Sequence, residues 1–216
     1  MIVLKEPLWG ELLLKKLYYW MFANETLVWL IPFLADVFVF VYPVYLVILF
    51  ICGIIKKKFY YQSSALFAFF ATLISVCINI FIQFFIDKAR PSVFLELSDL
   101  KAQTVLHKFL PSSSFPSDHA AVSMAFASAV FFRGVKNKDK NFIILGIIFY
   151  VFSLTMSFAR VTSGVHWPTD VIAGSIIGIV VALILFNKNI FIRRENKVNK
   201  NLINIFNRIF GIRNYH

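Results

Sequence analysis

The sequence predicts an all-α, polytopic transmembrane helix bundle with interfacial N-terminal helices, and three observations carry that prediction. Of 216 residues, 59% are hydrophobic and 18% aromatic, with a mean hydropathy of +0.75. A soluble domain of this length cannot enclose so much apolar surface. The apolar residues fall in five runs close to the ~20 residues that cross a hydrocarbon core. Basic residues gather in alternate connections between those runs, the pattern that orients membrane proteins.

Residues 1–36 form the first region. Leu12–Ala35 is apolar but interrupted by Lys15, Lys16, Asn24, Glu25 and Pro32, which favours helices lying in the membrane interface. A sixth span over Leu17–Ala35 is the alternative; it leaves only Asp36 for the turn into the next run. No cleavable signal peptide is evident, because charges are scattered through the start.

The transmembrane domain occupies residues 37–186. Its spans are Val37–Ile55, ending at Lys56-Lys57-Lys58; Ser64–Ile86, ending at Asp87-Lys88; Ser117–Phe132, short enough that its start should be buried in protein; Phe142–Ala159; and Pro168–Phe186. Residues 187–216 make a basic, amphipathic tail suited to the inner membrane surface. Basic residues number three in loop 56–63, four in loop 133–141 and seven after Phe186, fourteen in all, against eight on the other side. The richer side is therefore expected in the cytoplasm. Loops 87–116 and 160–167 then face outward together.

Net charge is +11, from 22 Lys+Arg against 11 Asp+Glu. Nucleic-acid binding is not the reading, because the aromatics lie in membrane runs rather than among the basic residues. Cys52 and Cys77 both sit in apolar runs and act as small hydrophobes.

Three stretches at one membrane level carry the chemistry. Asp87-Lys88-Ala89-Arg90-Pro91 closes the second span, Pro116-Ser117-Asp118-His119 opens the third, and Arg160 through His166 to Asp170 joins the fourth to the fifth. Taken singly, each has a bland explanation: a charge before a helix break, a helix cap, a satisfied interfacial histidine. Together they gather two arginines, two histidines, a serine at a helix N-terminus and a His–Asp pair four residues apart. Guanidinium forks match phosphate oxygens, and a helix N-terminus offers N–H groups to an anion. One histidine can attack phosphorus while the other protonates the leaving oxygen. A zinc site from His119, His166, Asp118 and Asp170 is the competing chemistry, but no H-E-x-x-H or cysteine ligand is present, and the arginines repel a cation.

On these residues the chain resembles the type-2 phosphatidic-acid-phosphatase superfamily of membrane lipid phosphatases, whose motifs are K-x6-R-P, P-S-G-H and S-R-x5-H-x3-D. The second reads Pro116-Ser117-Asp118-His119. The third keeps Arg160, His166 and Asp170 with Ala159 in place of serine, and the first keeps Arg90-Pro91 with Gln83 at the lysine position. Asp118 for glycine looks most like the bacterial undecaprenyl-diphosphate phosphatases of that superfamily.

The resemblance implies a metal-independent and cofactor-free enzyme. His166 would be the nucleophile forming a phosphohistidine, with Asp170 orienting it and His119 as general acid. Arg90, Ser117 and Arg160 would hold phosphoryl oxygens, while Asp118 would bias the site toward a diphosphate. Lys88 is a candidate stand-in for the missing motif lysine. The implied substrate is undecaprenyl diphosphate, the carrier lipid of cell-wall synthesis, handled at the outer face of a bacterial inner (plasma) membrane, with consequences for bacitracin sensitivity. Lipid A, phosphatidylglycerol phosphate and phosphatidic acid are the alternative lipids, and a non-catalytic membrane scaffold is the alternative class.

Overall fold

The computed structural model describes residues 1–94, 113–188 and 197–209. Its elements run β1 (Ile2–Val3), α1 (Leu8–Phe22), α2 (Glu25–Val37), a 3₁₀ turn (Phe38–Phe40), α3 (Val41–Ile55), α4 (Phe59–Phe85), β2 (Ile86–Asp87), α5 (Pro91–Phe94), α6 (Asp118–Asn137), α7 (Lys140–Thr162), α8 (Pro168–Asn187) and α9 (Lys197–Ile209). The all-α bundle forms as expected. Among the described residues the only strands are β1 and β2, which pair in parallel over two residues. Glu25–Ile55, Phe59–Phe85, Lys140–Thr162 and Pro168–Asn187 are each long and apolar enough to cross a membrane.

The fifth long helix, α6, sits at the centre against α4, α7 and α8. Its buried face is made of small residues, among them Ala120, Ala121, Ser123, Ala125, Ala127, Ser128 and Ala129. Lipid tails are as apolar as leucine, so helices in a bilayer associate through close backbone packing and interhelical hydrogen bonds. Both are present. A Cβ on Gly174 of α8 would stand only 2.3 Å from the Ser117 carbonyl oxygen, so glycine is what lets α8 close onto the start of α6. Ser123 and Ser153 hydroxyls bond across α6 and α7 at 2.6 Å, and the Tyr150 hydroxyl donates to Ser128 at 2.8 Å. Tyr42, Phe126 and Phe149 tie α3 to this pair with ring centroids 5.2–5.7 Å apart. The small and polar content of α6 follows from its enclosed position, whereas α7 turns Ile144, Ile147, Val151 and Leu154 outward, as a lipid-facing helix does.

The N-terminal region departs from the sequence reading. The first span was expected to start at Val37, with Asp36 as the turn before it only if Leu17–Ala35 made a sixth span, but the helical path begins at Glu25 and runs through to Ile55. The Glu25–Ala35 part of this path pairs with α1 and α7. Tyr18, Met21, Ile31 and Ala35 pack together with Ala159 of α7. Leu14 packs on Ala120, Val161, Trp167 and Val171. Asp36 does not turn the chain because its charge is answered inside the bundle by Arg160.

At the opposite end, α6 continues past the expected stop at Phe132 to Asn137. Arg133, counted above with loop 133–141, is therefore helical and 4% exposed. Its Nε and Nη2 donate to Ser64 and Ser63 at 2.9 and 2.8 Å, and the guanidinium lies 4.8 Å from the Tyr60 ring. The amphipathic tail helix expected after residue 187 forms as α9. Ile203 is buried, and Phe206 meets Phe50 with ring centroids 5.2 Å apart. Loop residues 95–112 and tail residues 189–196 and 210–216 lie outside the described residues, and with them the basic residues counted there.

Candidate active site

The three marked stretches converge where the C-terminal ends of α4 and α7 meet the N-terminal ends of α6 and α8. Backbone bonds knit them together: Ser114 N–H to Lys88 O at 2.8 Å, Ser92 N–H to Gly164 O at 3.0 Å, and Ser117 N–H to Asp170 O at 3.1 Å. Trp167 adds its indole N–H to Ala89 O at 2.8 Å. Gly164, in the left-handed region at φ 71°, folds the chain back after α7. The Val165 and His166 N–H groups then both donate to the Arg160 carbonyl, at 3.1 and 3.2 Å. Arg160 and His166 thus become neighbours across six residues.

His166 is 3% exposed. Its Nδ1 lies 2.9 Å from the Ser114 carbonyl oxygen. A carbonyl only accepts, so Nδ1 carries the proton and Nε2 keeps its lone pair. Nε2 is 3.5 Å from Nη1 of Arg90, and Arg90 is itself held by the Val165 and Ser113 carbonyls, each at 3.1 Å. Burial first, then the charges of Arg160 and Arg90, push the His166 imidazole well below its usual range. It is therefore neutral at pH 7 and able to use that lone pair. Burial also lowers Arg90, with Asp170 and Asp118 opposing the shift.

The His166–Asp170 pair differs from the sequence expectation. Asp170 Oδ2 is 3.6 Å from Nδ1, beyond hydrogen-bond length. Its oxygens are taken elsewhere: Oδ2 accepts the Trp167 N–H at 2.9 Å and Oδ1 accepts from Lys88 at 2.7 Å. The acceptor that orients His166 is the Ser114 carbonyl, with Asp170 as its ionic neighbour.

Lys88 also differs. Its ammonium meets Glu6 Oε2 and Thr169 Oγ1 at 2.6 Å each, besides Asp170, and the Thr169 hydroxyl donates to Glu6. Three N–H groups meet three acceptors, so Lys88 has no donor left for a phosphate and is no stand-in for the motif lysine. Gln83, at the motif position, donates to Pro116 O at 3.2 Å and to Asp118 Oδ1 at 3.3 Å; Asn79 donates to the same oxygen at 3.0 Å. Asp118 is clamped by two amides of α4.

Seven polar atoms at this end are buried and have no partner among the described residues: Glu6 Oε1, Asn79 Oδ1, Ser114 Oγ, Ser117 Oγ, His119 Nε2, and Nε and Nη2 of Arg160, of which the last five can donate. Ser117 occupies the N-cap of α6 yet makes no capping bond. His119 interacts electrostatically with Arg160, His166 and Arg90. Buried polar atoms are nearly always satisfied. So many orphans at one end call for a ligand rich in oxygen atoms. Among the described residues no three His, Cys, Asp or Glu side chains cluster as metal ligands would.

The PAP2 superfamily model matches residues 64–193, which contain all three stretches. The chain belongs to the PAP2 superfamily. It is a multi-pass membrane protein and a lipid phosphatase. Undecaprenyl-diphosphatase BcrC of Bacillus subtilis (strain 168) is 25% identical over 166 residues, covering 76% of this chain and 75% of that protein. The bacitracin transport permease protein BcrC of Bacillus licheniformis is 32% identical over 74 residues, 34% of this chain and 32% of that protein. No solved structure matches the chain significantly.

Sequence reasoning missed four contributors. Asn79 had a signal, an amide four residues before Gln83 in an apolar run. Glu6 and Asp36 had the weaker one of carboxylates beside apolar stretches. Ser114 contributes a backbone carbonyl, which no residue type announces.

Proposed function

We propose that this phosphatase hydrolyses undecaprenyl diphosphate to the monophosphate and phosphate, through a phosphohistidine on His166, without a metal ion. The observation that carries this reading is the set of orphaned buried donors at the same end of the bundle as a tautomer-fixed imidazole. In the reaction, the Nε2 lone pair of His166 forms a bond to the terminal phosphorus as the bond to the bridging oxygen breaks. His119 gives its proton to that oxygen, which leaves on the lipid monophosphate. Arg90, Arg160 and Ser117 hold the phosphoryl oxygens as charge shifts among them, the preorganised stabilisation that usually dominates such steps. Asp170, 3.6 Å from Nδ1, offsets the positive charge that develops on the ring. Water, deprotonated by His119, then attacks phosphorus, releasing phosphate and free imidazole.

Asp118, at the glycine position of the motif, and the similarity to the undecaprenyl-diphosphatase of Bacillus subtilis support the diphosphate substrate. The basic bias of the connections supports a site facing outward from a bacterial inner membrane. Residues 1–36, 37–186 and 187–216 act in this reading as interfacial helices, catalytic bundle and cytoplasmic tail.

The test is phosphate release by purified protein in detergent with EDTA, from undecaprenyl and farnesyl diphosphates, phosphatidylglycerol phosphate, phosphatidic acid and lipid A. Wild type and His166→Ala are compared, with samples quenched in alkaline detergent assayed for protein phosphate that is stable to base and lost in acid. Turnover fastest on the prenyl diphosphates, with His166-dependent phosphoprotein, is expected. Faster turnover of another lipid would overturn the substrate, and full activity in His166→Ala would overturn the mechanism.

A further inference from the structure

The family match begins at residue 64, yet two carboxylates that precede it reach the site's cations. On α2, Asp36 Oδ1 accepts from Nη1 of Arg160 at 2.9 Å, and the Ala35 carbonyl accepts from the same nitrogen at 3.2 Å. Both side chains are 1% exposed. On the chain entering α1, Glu6 accepts from Lys88 at 2.6 Å with both side chains 3% exposed. Glu6 is delivered there by the pairing of β1 with β2 and by the Leu4 N–H bond to Asp87 O at 2.9 Å.

The geometry of the first pair is selective. A guanidinium is planar, so two acceptors fixed on Nη1 restrict the plane of the whole group. The bonds to α2 use Nη1 alone. Nε and Nη2, whose hydrogens point the same way and form the fork that grips two oxygens of a phosphate, are left buried and without a partner among the described residues. An ion pair serving only to join α2 to α7 has no reason to leave that fork empty in a dry interior, where each unmet donor is costly. The second pair acts one step further back. Glu6 helps hold Lys88 on Asp170, and Asp170 stands behind His166.

We infer that Asp36 and Glu6 are positioning residues, Asp36 aiming the Arg160 fork at the substrate's phosphate and Glu6 holding the Lys88–Asp170 pair behind His166. These two side chains, from outside the family match, are thereby tied to the catalytic groups. The inference rests on the roles given above to Arg160 and His166.

The test uses full-length protein in detergent with farnesyl diphosphate as substrate and orthovanadate as a phosphate mimic. Wild type is compared with Asp36→Asn, Asp36→Glu, Glu6→Gln, Arg160→Ala and Ile31→Ala. Ile31 is 5% exposed in the packing of α1 on α2, so Ile31→Ala loosens the same segment without touching a charge. Misplacing a catalytic group by about 1 Å costs up to 10²-fold. Asp36→Asn is expected to raise KM and the vanadate inhibition constant by at least about tenfold, with partial recovery in Asp36→Glu. Glu6→Gln is expected to lower kcat several-fold with the vanadate constant unchanged. Ile31→Ala should lower the unfolding temperature and leave the kinetic constants alone.

If Arg160→Ala weakens vanadate while Asp36→Asn and Glu6→Gln both behave as wild type, the inference fails and the site reading stands. If Ile31→Ala reproduces the kinetic change of Asp36→Asn, the segment is only structural and the inference fails. If Arg160→Ala itself binds vanadate normally, the site reading fails and takes the inference with it.

Discussion

Adding one methyl group at Gly174 should disable the enzyme while leaving it folded. The Cβ of Gly174→Ala would lie 2.3 Å from the Ser117 carbonyl oxygen and 3.3 Å from both the Ala120 Cβ and the Ala121 nitrogen. The nearest atom is backbone, so no side chain can swing aside. Reaching ordinary contact requires the start of α6 and α8 to part by about 1 Å. Overpacking of this kind costs roughly 1–3 kcal/mol, which a bundle of this size can survive. The catalytic cost is larger in proportion. Ser117 and His119 ride on α6 while His166 and Asp170 ride on the entrance to α8, so the displacement falls between the proposed acid and the proposed nucleophile. A misplacement of that size costs about 10²-fold, close to 2.7 kcal/mol of transition-state stabilisation.

The assay is kcat/KM for prenyl diphosphate in detergent, with unfolding followed in parallel. Gly178→Ala is the comparison, because its Cβ would lie equally close, 2.3 Å, to the Ala121 carbonyl oxygen but one turn further from the site. Gly178→Ala should lose comparable stability and clearly less activity. A Gly174→Ala enzyme with wild-type kcat/KM would refute the claim that the α6–α8 contact sets the distance between His119 and His166.

Four further outcomes follow from the same geometry. Because its surroundings push the His166 pKa down, the imidazole stays unprotonated as pH falls. The acid limb that it sets on kcat/KM should therefore lie below about 6.5, the value for free histidine. The same shift makes stability decline below that pH, since the unfolded chain binds a proton that the buried ring refuses; scanning unfolding from pH 8 to 5 checks the sign. Ser117→Ala removes a hydroxyl with no partner to lose, so it should raise KM several-fold while leaving stability equal or slightly higher. Arg133→Ala, at the far end of the bundle, loses two hydrogen bonds of a charged group and should cost about 2–4 kcal/mol of stability with kcat unchanged per folded molecule.

The long helices and the site's convergence were legible because they rest on local or periodic signals. Apolar runs give spans whatever their partners, and Arg90, Ser117–His119 and Arg160–Asp170 fall at span ends on one side. The limits of that reading were contacts between distant residues. Asp36 looks like a turn residue until Arg160, 124 positions later, is seen to bind it. Lys88 looks available until Glu6, 82 positions earlier, and Asp170 are found on it. Arg133 counts as a loop charge until Ser63 and Ser64 draw it inside. In each case a charge was assigned to water or to substrate because its partner's type and position are set by the tertiary fold.

Those partners also bear on the missing motif lysine. Lys88 is paired with Glu6 and Asp170, and Arg160 with Asp36, so neither offers the site a bare point charge for a phosphate. What it offers instead is direction. The Arg160 fork and the Ser117 hydroxyl are buried and without a partner among the described residues, in surroundings where a hydrogen bond is worth more than it is in solvent. A lysine restored at position 83 would not recreate the family's usual contact. Its ammonium would arrive beside Asp118, where the Gln83 amide now donates at 3.3 Å, and would be neutralised there. On the proposed reading, the residues that hold the cations matter as much as the cations themselves.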